Sequence, residues 1–276
     1  MDRITILKAI EKVRRVFPFD GYIDDISSHV EIARIVSGNL PRGARILDVG
    51  SGPCDKTAVL SLLGFHCTAC DDLNDFWHKE GANRKLIVDF TKLVGIQFDM
   101  LKEQKLPYPD DTFDCVIFSD VIEHLHDSPR VILNDALAKL KPGGLLLITM
   151  PNSVNLRKRI SVLTGHSNYQ SLELFFWSPL PYRGHVREYT LQETKRLLRL
   201  MGLEIVEAYT FHGMLARRVH SSLAKSLYIL LTTLIPGCRD SIAVVGRKPQ
   251  GWRPILADSR NYLRYFLKNT TWRPIT

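Results

Sequence analysis

Apolar positions along the chain change period several times, and each change marks an element. Residues 2–16 and 24–37 set apolar side chains three and four apart among charges, which predicts two amphipathic helices parted by the turn-rich stretch 17–22 (FPFDGY). The period then collapses into short continuous apolar runs at 44–50 (ARILDVG), 66–70 (HCTAC, ending at Asp71), 96–100 (IQFDM), 113–119 (FDCVIFS) and 145–150 (LLLITM). Runs this short, bounded by turns and polar residues, predict strands buried on both faces. Helical spacing returns between them: through 57–64 (TAVLSLLG), around 82–94, and over 129–140 (PRVILNDALAKL), which Lys141-Pro142-Gly143-Gly144 stops. Such alternation means βαβ units and a doubly wound sheet with helices on both faces.

Two later strand patterns, 203–211 (LEIVEAYTF) and 242–248 (IAVVGRK), bring the expected sheet to seven strands, mostly parallel. A tight hairpin would join them, so the roughly thirty residues between, with the helical apolar stretch LAKSLYILLTTLI, read as an insertion. The chain thus divides into an N-terminal helical cap (1–40), one α/β domain (41–250) with added pieces at 151–190 and 212–240, and a tail (251–276). Trp252, Tyr262, Tyr265, Phe266 and Trp272 in the tail predict a last helix docked on the body.

Charge separates the two halves. Residues 1–150 carry 18 Lys and Arg against 22 Asp and Glu, a net −4, whereas residues 151–276 carry 19 against 7, a net +12. The basic half suits an anionic partner or a solvated basic surface. Charges interrupt the amino-terminal apolar pattern, which argues against a secretory signal, and five cysteines without scaffold spacing fit a reducing compartment. A cytoplasmic protein is expected. Cys67 and Cys70 form a CxxC, but three apart on a strand they face opposite sides, so no zinc site is expected.

Ligands of an open parallel sheet sit at the carboxyl ends of its strands. Asp48-Val49-Gly50-Ser51-Gly52-Pro53 follows the first strand, where glycines let backbone amides approach a ligand. Asp71 lies about 20 residues further, the spacing of a carboxylate that accepts from ribose hydroxyls. A dinucleotide reading meets an obstacle: counting GxGxxG from Gly50 puts Asp55 at the third glycine, a carboxylate where a pyrophosphate would lie. S-adenosylmethionine has no phosphate and brings an amino group and a sulfonium, both suited to an acidic pocket.

ILDVGSGP, Asp71, the FDM around Asp99, LPYPDDTFDCVIFSDVIEHL and LKPGGLLLITMPN, in that order over residues 44–152, resemble the ordered motifs of class I S-adenosylmethionine-dependent methyltransferases. The resemblance implies a Rossmann-like fold. It further implies Asp48, Gly50, Ser51 and Gly52 beside the methionine portion, Asp71 on the ribose with Asp72 sharing its role, and Asp99 and the Met100 backbone at the adenine. Ser119 and Asp120 would line the methionine side. Cys54 departs from the pattern, standing where the family often has a further glycine. Trp77 and His78 either cover the adenine or pack.

If a helix starts after the fourth strand, Asp120, Glu123 and His124 fall at i, i+3 and i+4 on one face. Two carboxylates and an imidazole so placed can bind a divalent ion. The pattern is similar to metal-dependent O-methyltransferases of the ubiquinone pathway and of small-RNA 2′-hydroxyls, the latter with a later histidine, which His185 in GHVREYT matches. The resemblance implies Mg²⁺ held by Asp120, Glu123, His124 and His185. The alternative is metal-free: His124 or His185 serves as general base and Glu123 as a cap.

Residues 151–190 and 212–240 should emerge on the catalytic face, the first dense in aromatics and arginines, including Arg157, Arg159, Tyr169, Trp177, Tyr182 and Arg183. The run 227–235 is too short to span a bilayer. With Arg217, Arg218, Lys225 and Arg239 around it, the insertion could lie in an interface at the inner face of the membrane and meet a lipid-linked substrate. The overall layout is similar to methyltransferases of bacterial polysaccharide and glycolipid assembly. The expected reaction is O-methylation of a sugar or related polyhydroxylated acceptor, lipid-linked or free. RNA, a phenolic or quinone-like acceptor, and a non-catalytic S-adenosylmethionine-binding partner protein are the alternatives, nucleic acid being the less favoured partner.

Overall fold

The computed structural model describes residues 1–101, 105–213 and 222–269. Seven strands, β1 (Arg45–Val49), β2 (His66–Asp71), β3 (Gln97–Met100), β4 (Phe113–Ser119), β5 (Leu140–Pro151), β6 (Glu204–Phe211) and β7 (Ser241–Arg247), form one sheet in the order β3-β2-β1-β4-β5-β7-β6. The pairs from β3 to β5 are parallel, and β7 runs antiparallel to both its neighbours. The expected α/β class and mostly parallel seven-stranded sheet are what the structure shows.

Helices α1 (Arg3–Val16), α2 (Ser27–Asn39), α3 (Asp55–Leu62), α4 (Phe76–Lys79), α5 (Asn83–Leu93), α6 (Arg130–Lys139), α7 (Leu156–Leu163), α8 (Leu172–Phe176), α9 (Leu191–Leu200), α10 (Ser222–Leu234) and α11 (Ser259–Asn269) accompany the sheet. Two cores form. One joins α1, α2, α3 and α5 to one face of the sheet, and the other joins α6 and α9 to the opposite face. Cys67 belongs to the first core and Cys70 to the second, as their spacing on a strand requires. All five cysteines are buried and free.

Three local differences from the sequence reading have physical causes. Helix α9 is a helix the sequence reading does not name, and it starts at a reciprocal cap: the Thr190 hydroxyl accepts from Glu193 N–H (3.1 Å) and the Glu193 carboxylate from Thr190 N–H (2.9 Å). After β4 no α-helix begins at Asp120. That residue takes φ +58° and leads into a single 3-10 turn, Ile122–His124, so residues 120, 123 and 124 do not share a helix face. In the tail, Trp252 docks through its indole N–H on the Met201 carbonyl (2.8 Å), whereas α11 leaves Tyr262 and Leu263 exposed. Arg217, Arg218 and Trp272 lie outside the described residues. Among the described residues, no helix is long and apolar enough to cross a membrane.

Leu147, in the centre of β5, is almost wholly buried. Replacing it by alanine should lower unfolding stability by about 2–5 kcal/mol, read as a lower urea midpoint with an unchanged slope.

Candidate active site

Strands β1 and β4 are paired neighbours, but the chain leaves β1 toward β2 and β4 toward β5. Between their carboxyl ends a crevice opens, the usual ligand position in such a sheet. It is a cavity of about 690 Å³ that reaches from Tyr22 and His29 of the N-terminal cap to Pro181, Tyr182 and Arg183 of the 151–190 segment. Eight aspartates line it against two full cations, Lys56 and Arg183. A cavity so charged suits a cationic ligand.

The loop after β1 is held from both sides. Gly50 donates to the Cys70 carbonyl (2.8 Å) with φ +70°, and a Cβ there would stand 2.6 Å from Val121 Cγ2, so only glycine fits. Gly52 N–H donates to the Asp71 carboxylate (2.8 Å), whose other oxygen accepts from Leu73 N–H (2.6 Å). Burial nonetheless pushes Asp71 above the ordinary carboxylate range. Cys54 adopts φ +63°, the left-handed conformation a glycine would take at lower cost, and its thiol meets the Ser51 hydroxyl (3.2 Å). Asp48 is buried with one oxygen on the Thr57 hydroxyl and the other without a partner among the described residues; burial pushes its pKa up to about 7.

Two pairs tie distant parts of the chain to this loop. His29 Nε2 meets the Asp55 carboxylate (2.8 Å) in the interior, fastening α2 to the start of α3. Burial alone would raise Asp55, but the hydrogen bond and charge of His29 hold it low. Lys56 Nζ donates to Asp120 (2.6 Å) and to the Ser119 hydroxyl (2.7 Å). Although burial opposes its charge, Asp120 and Asp55 hold the ammonium protonated.

The predicted site residues divide. Asp48, Gly50, Ser51, Gly52, Asp71, Asp72, Ser119, Asp120 and His124 line the cavity. Asp99 and Met100 do not; Leu101 is the residue at the end of β3 that does. The Asp99 carboxylate is taken by the Tyr108 hydroxyl (2.9 Å) and Met100 is substantially exposed. Asp72 lines the wall, but Arg183 grips its two oxygens (3.0 and 2.8 Å) and reaches Asp75 (2.5 Å) as well.

Glu123, His124 and His185 come together, with potential donor atoms all within 4.8 Å of one another, and Asp120 is not of the group. The expected four-residue metal set is corrected on this point: Asp120 turns in the left-handed region and pairs with Lys56, so its carboxylate is spent there. His124 Nδ1 meets the Arg183 carbonyl (2.8 Å), which can only accept, so Nδ1 carries the proton and Nε2 the lone pair. His185 Nδ1 meets Glu188 (2.7 Å), and the two imidazoles stand edge to face at 4.8 Å. Burial and the neighbouring His185 hold His124 below the usual histidine value. Glu123 is wholly buried and both its oxygens lack a partner among the described residues; burial and Asp120 push its pKa well up. Its carbonyl accepts from Val186 (2.8 Å) and Arg187 N–H (3.1 Å), which brings His185 to His124. Glu123 and His185 stand behind the cavity wall rather than in it.

Sequence reading missed His29, Lys56 and the dual role of Arg183. A lysine directly after the loop's aspartate was the available signal for Lys56; the partners of the other two lie far away in the chain.

A family model described as a methyltransferase domain matches residues 28–208. Among curated proteins, the ubiquinone/menaquinone biosynthesis C-methyltransferase UbiE of Cronobacter sakazakii is 29% identical over 181 residues, 62% of this chain and 71% of that protein. The Proteus mirabilis protein of the same name is 32% identical over 116 residues, 41% of this chain and 45% of its own length. The chain therefore spans less than half of that relative. Among solved structures, a SAM dependent methyltransferase from Aquifex aeolicus is similar at TM-score 0.52 and 15% identity, covering 87% of this chain and 98% of that one. Phosphoethanolamine N-methyltransferase 2 of Haemonchus contortus, in complex with S-adenosyl-L-methionine, is similar at TM-score 0.56 and 17% identity, covering 90% and 58%. At these identities the likeness is one of fold.

Asp48 supplies a test of the cavity's electrostatics. Its pKa in the folded chain is about 7 against an ordinary 3.8, so its ionisation opposes folding. The contribution is absent below about pH 4, grows as pH rises, and levels off above about pH 7. Asp48→Asn should therefore raise the melting temperature of the ligand-free protein at pH 8, with the gain vanishing toward pH 4. A gain equal at both pH values would refute the ionisation account.

Proposed function

The chain belongs to the family of S-adenosylmethionine-dependent methyltransferases, and from that premise we propose that it methylates a hydroxyl oxygen of a sugar or related polyhydroxylated acceptor. When bound, S-adenosylmethionine supplies an electrophilic methyl group on a sulfonium. The residues present suit it. Asp48 offers an unpartnered oxygen beside Gly50, Ser51 and Gly52, and a cationic methionine end held there would favour its ionised form. Lys56 is the cation at that end for a carboxylate, and Asp71, already fixed by two backbone amides, would take the ribose hydroxyls. Leu101 offers an apolar surface at the adenine side, and Asp99 and Met100 stand aside from it.

The observation that carries the oxygen-directed reading is the His124–His185–Glu123 cluster at the cavity wall. A hydroxyl nucleophile must lose its proton near the transition state, and a neutral imidazole with a fixed Nε2 lone pair is fitted to receive it. His124 has that tautomer because Arg183 accepts its other N–H. Packing of His185 keeps its charge disfavoured. A second chemistry draws on the same three side chains. Two unpartnered carboxylate oxygens beside imidazoles that each engage an acceptor through Nδ1 are a donor set for a divalent cation such as Mg²⁺. A cation held there by Glu123, His124 and His185 would acidify a hydroxyl seated at His124, the one of the three on the cavity wall. A ring-carbon reading, methylation of a quinone-like acceptor, is favoured by the names of the relatives; it needs no such polar cluster.

Calorimetric titration should give binding of S-adenosylmethionine, weakened at least tenfold by Asp71→Ala, and none of NAD⁺. Binding of NAD⁺ in preference would overturn the cofactor assignment. His124→Gln should leave cofactor affinity within about threefold while lowering turnover by about 10²–10⁴ on a glycolipid acceptor. Mass spectrometry of the product separates a methyl ether from a ring C-methyl group. Adding Mg²⁺ to chelator-treated protein decides between the base and the cation: a rise in turnover lost in Glu123→Gln supports the metal, and no change supports the base.

A further inference from the structure

The hydrophobic effect ordinarily turns the apolar face of a helix inward. Helix α10 does the reverse. Lys225, Tyr228 and Thr232, at i, i+3 and i+7, share the side that is partly or wholly buried, and Thr232 reaches His212 (3.2 Å). Leu223, Leu227, Leu230 and Leu234, at i, i+4, i+7 and i+11, form the opposite stripe, and all four are exposed. Helices α7 and α8 bury no residue fully and also expose apolar side chains. Leu163 is 85% exposed and Trp177 79%, and Leu172, Phe175 and Phe176 are exposed as well.

The two groups of helices stem from one place. The chain leaves β5 at Pro151 for α7, and Asn152 next to it donates to the Gly237 (2.9 Å) and Arg239 (2.8 Å) carbonyls, where the chain returns from α10. Both groups also border the cavity, the first through Pro181–Arg183 and the second through Gly213. Exposed apolar side chains in such number mark a partner.

Charge selects the partner. Of the basic residues in 153–183 and 222–239, Lys158 and Arg183 are paired with Glu188 and with Asp72 and Asp75, and Lys225 lies on the inner side of α10. The outward cations are Arg157 and Arg159, exposed on α7 itself, against one acid, Glu173. A two-fold contact between copies of this chain would bring these cations face to face. An anionic lipid surface meets both the exposed apolar side chains and the outward cations, and the aromatic residues suit the headgroup boundary. The helices are of a length to lie in that boundary: the longest, α10, has 13 residues where spanning takes about 20.

We propose that α7, α8 and α10 form a docking face for an anionic bilayer, which seats the mouth of the cavity against the lipid. The docking face stands independently of the reaction; that the acceptor is then lipid-borne rests on the reading given above.

The test is sedimentation of the full chain, without cofactor, with phosphatidylglycerol-containing vesicles and with pure phosphatidylcholine vesicles. Binding to the anionic vesicles is expected, weakened at least tenfold by Leu230→Ser/Leu234→Ser or Phe176→Ser/Trp177→Ser, and weakened also by raised salt. S-adenosylmethionine binding measured on the same variants should be unchanged, which shows that they fold and keeps the result separate from the cofactor reading. Absence of anionic-vesicle binding, or equal binding by wild type and variants, overturns the proposal. So does a dimer in sedimentation velocity that Leu230→Ser/Leu234→Ser dissolves, since a second copy would then be the occupant.

Discussion

The pairing of β1 with β4 is the constraint from which the site follows. These strands are far apart in sequence yet adjacent in the sheet, with Asp48 opposite Ile117 near the end of their shared ladder. Beyond that register the two chains diverge, and the groups that leave the ladder must find partners elsewhere. Gly50 turns back under the Cys70 carbonyl, Val121 fills the space a side chain on Gly50 would need, and Lys56 spans the gap to Asp120 and Ser119. Each partnership fixes part of the cavity wall. The same divergence leaves Asp48 without enough hydrogen bonds to carry its charge at ease.

Much of this was legible along the chain because it is local. The run 113–119 is strand β4 to the residue, since a buried parallel strand is one unbroken apolar segment. The opposed placement of Cys67 and Cys70 follows from strand alternation alone. Where a motif carries its own geometry, as in the glycine loop and Asp71, the residues named along the chain do line the cavity. Legibility failed where a partner comes from afar. Asp120 reads as a third member of a helix face with Glu123 and His124, but a left-handed turn and a lysine from α3 redirect it. Asp99 reads as an adenine contact; it lies outside the cavity lining, with one carboxylate oxygen on the Tyr108 hydroxyl. His29 gave no sign at all, because its meaning lies in Asp55 across the core.

The molecule faces two different environments within a short distance. Inside, the cavity is rich in aspartates and holds its cations in defined pairs. Outside its rim, short helices turn leucines and aromatics outward. The 151–190 segment belongs to both: Tyr189 pairs with Asn152 at the sheet and closes the second core, while Trp177 stands in the open. Glu188 fastens the segment to itself, holding Lys158 and His185 between these two environments.

Arg183 joins these two roles in one residue. Its guanidinium strap holds Asp72 and Asp75 on one side of the cavity, while its carbonyl receives the His124 N–H on the other. A segment fastened in this way cannot swing aside and leave the imidazole as it was. The wall at Asp72 and Asp75 and the Nδ1–H tautomer of His124 therefore both hang on the placement of one residue.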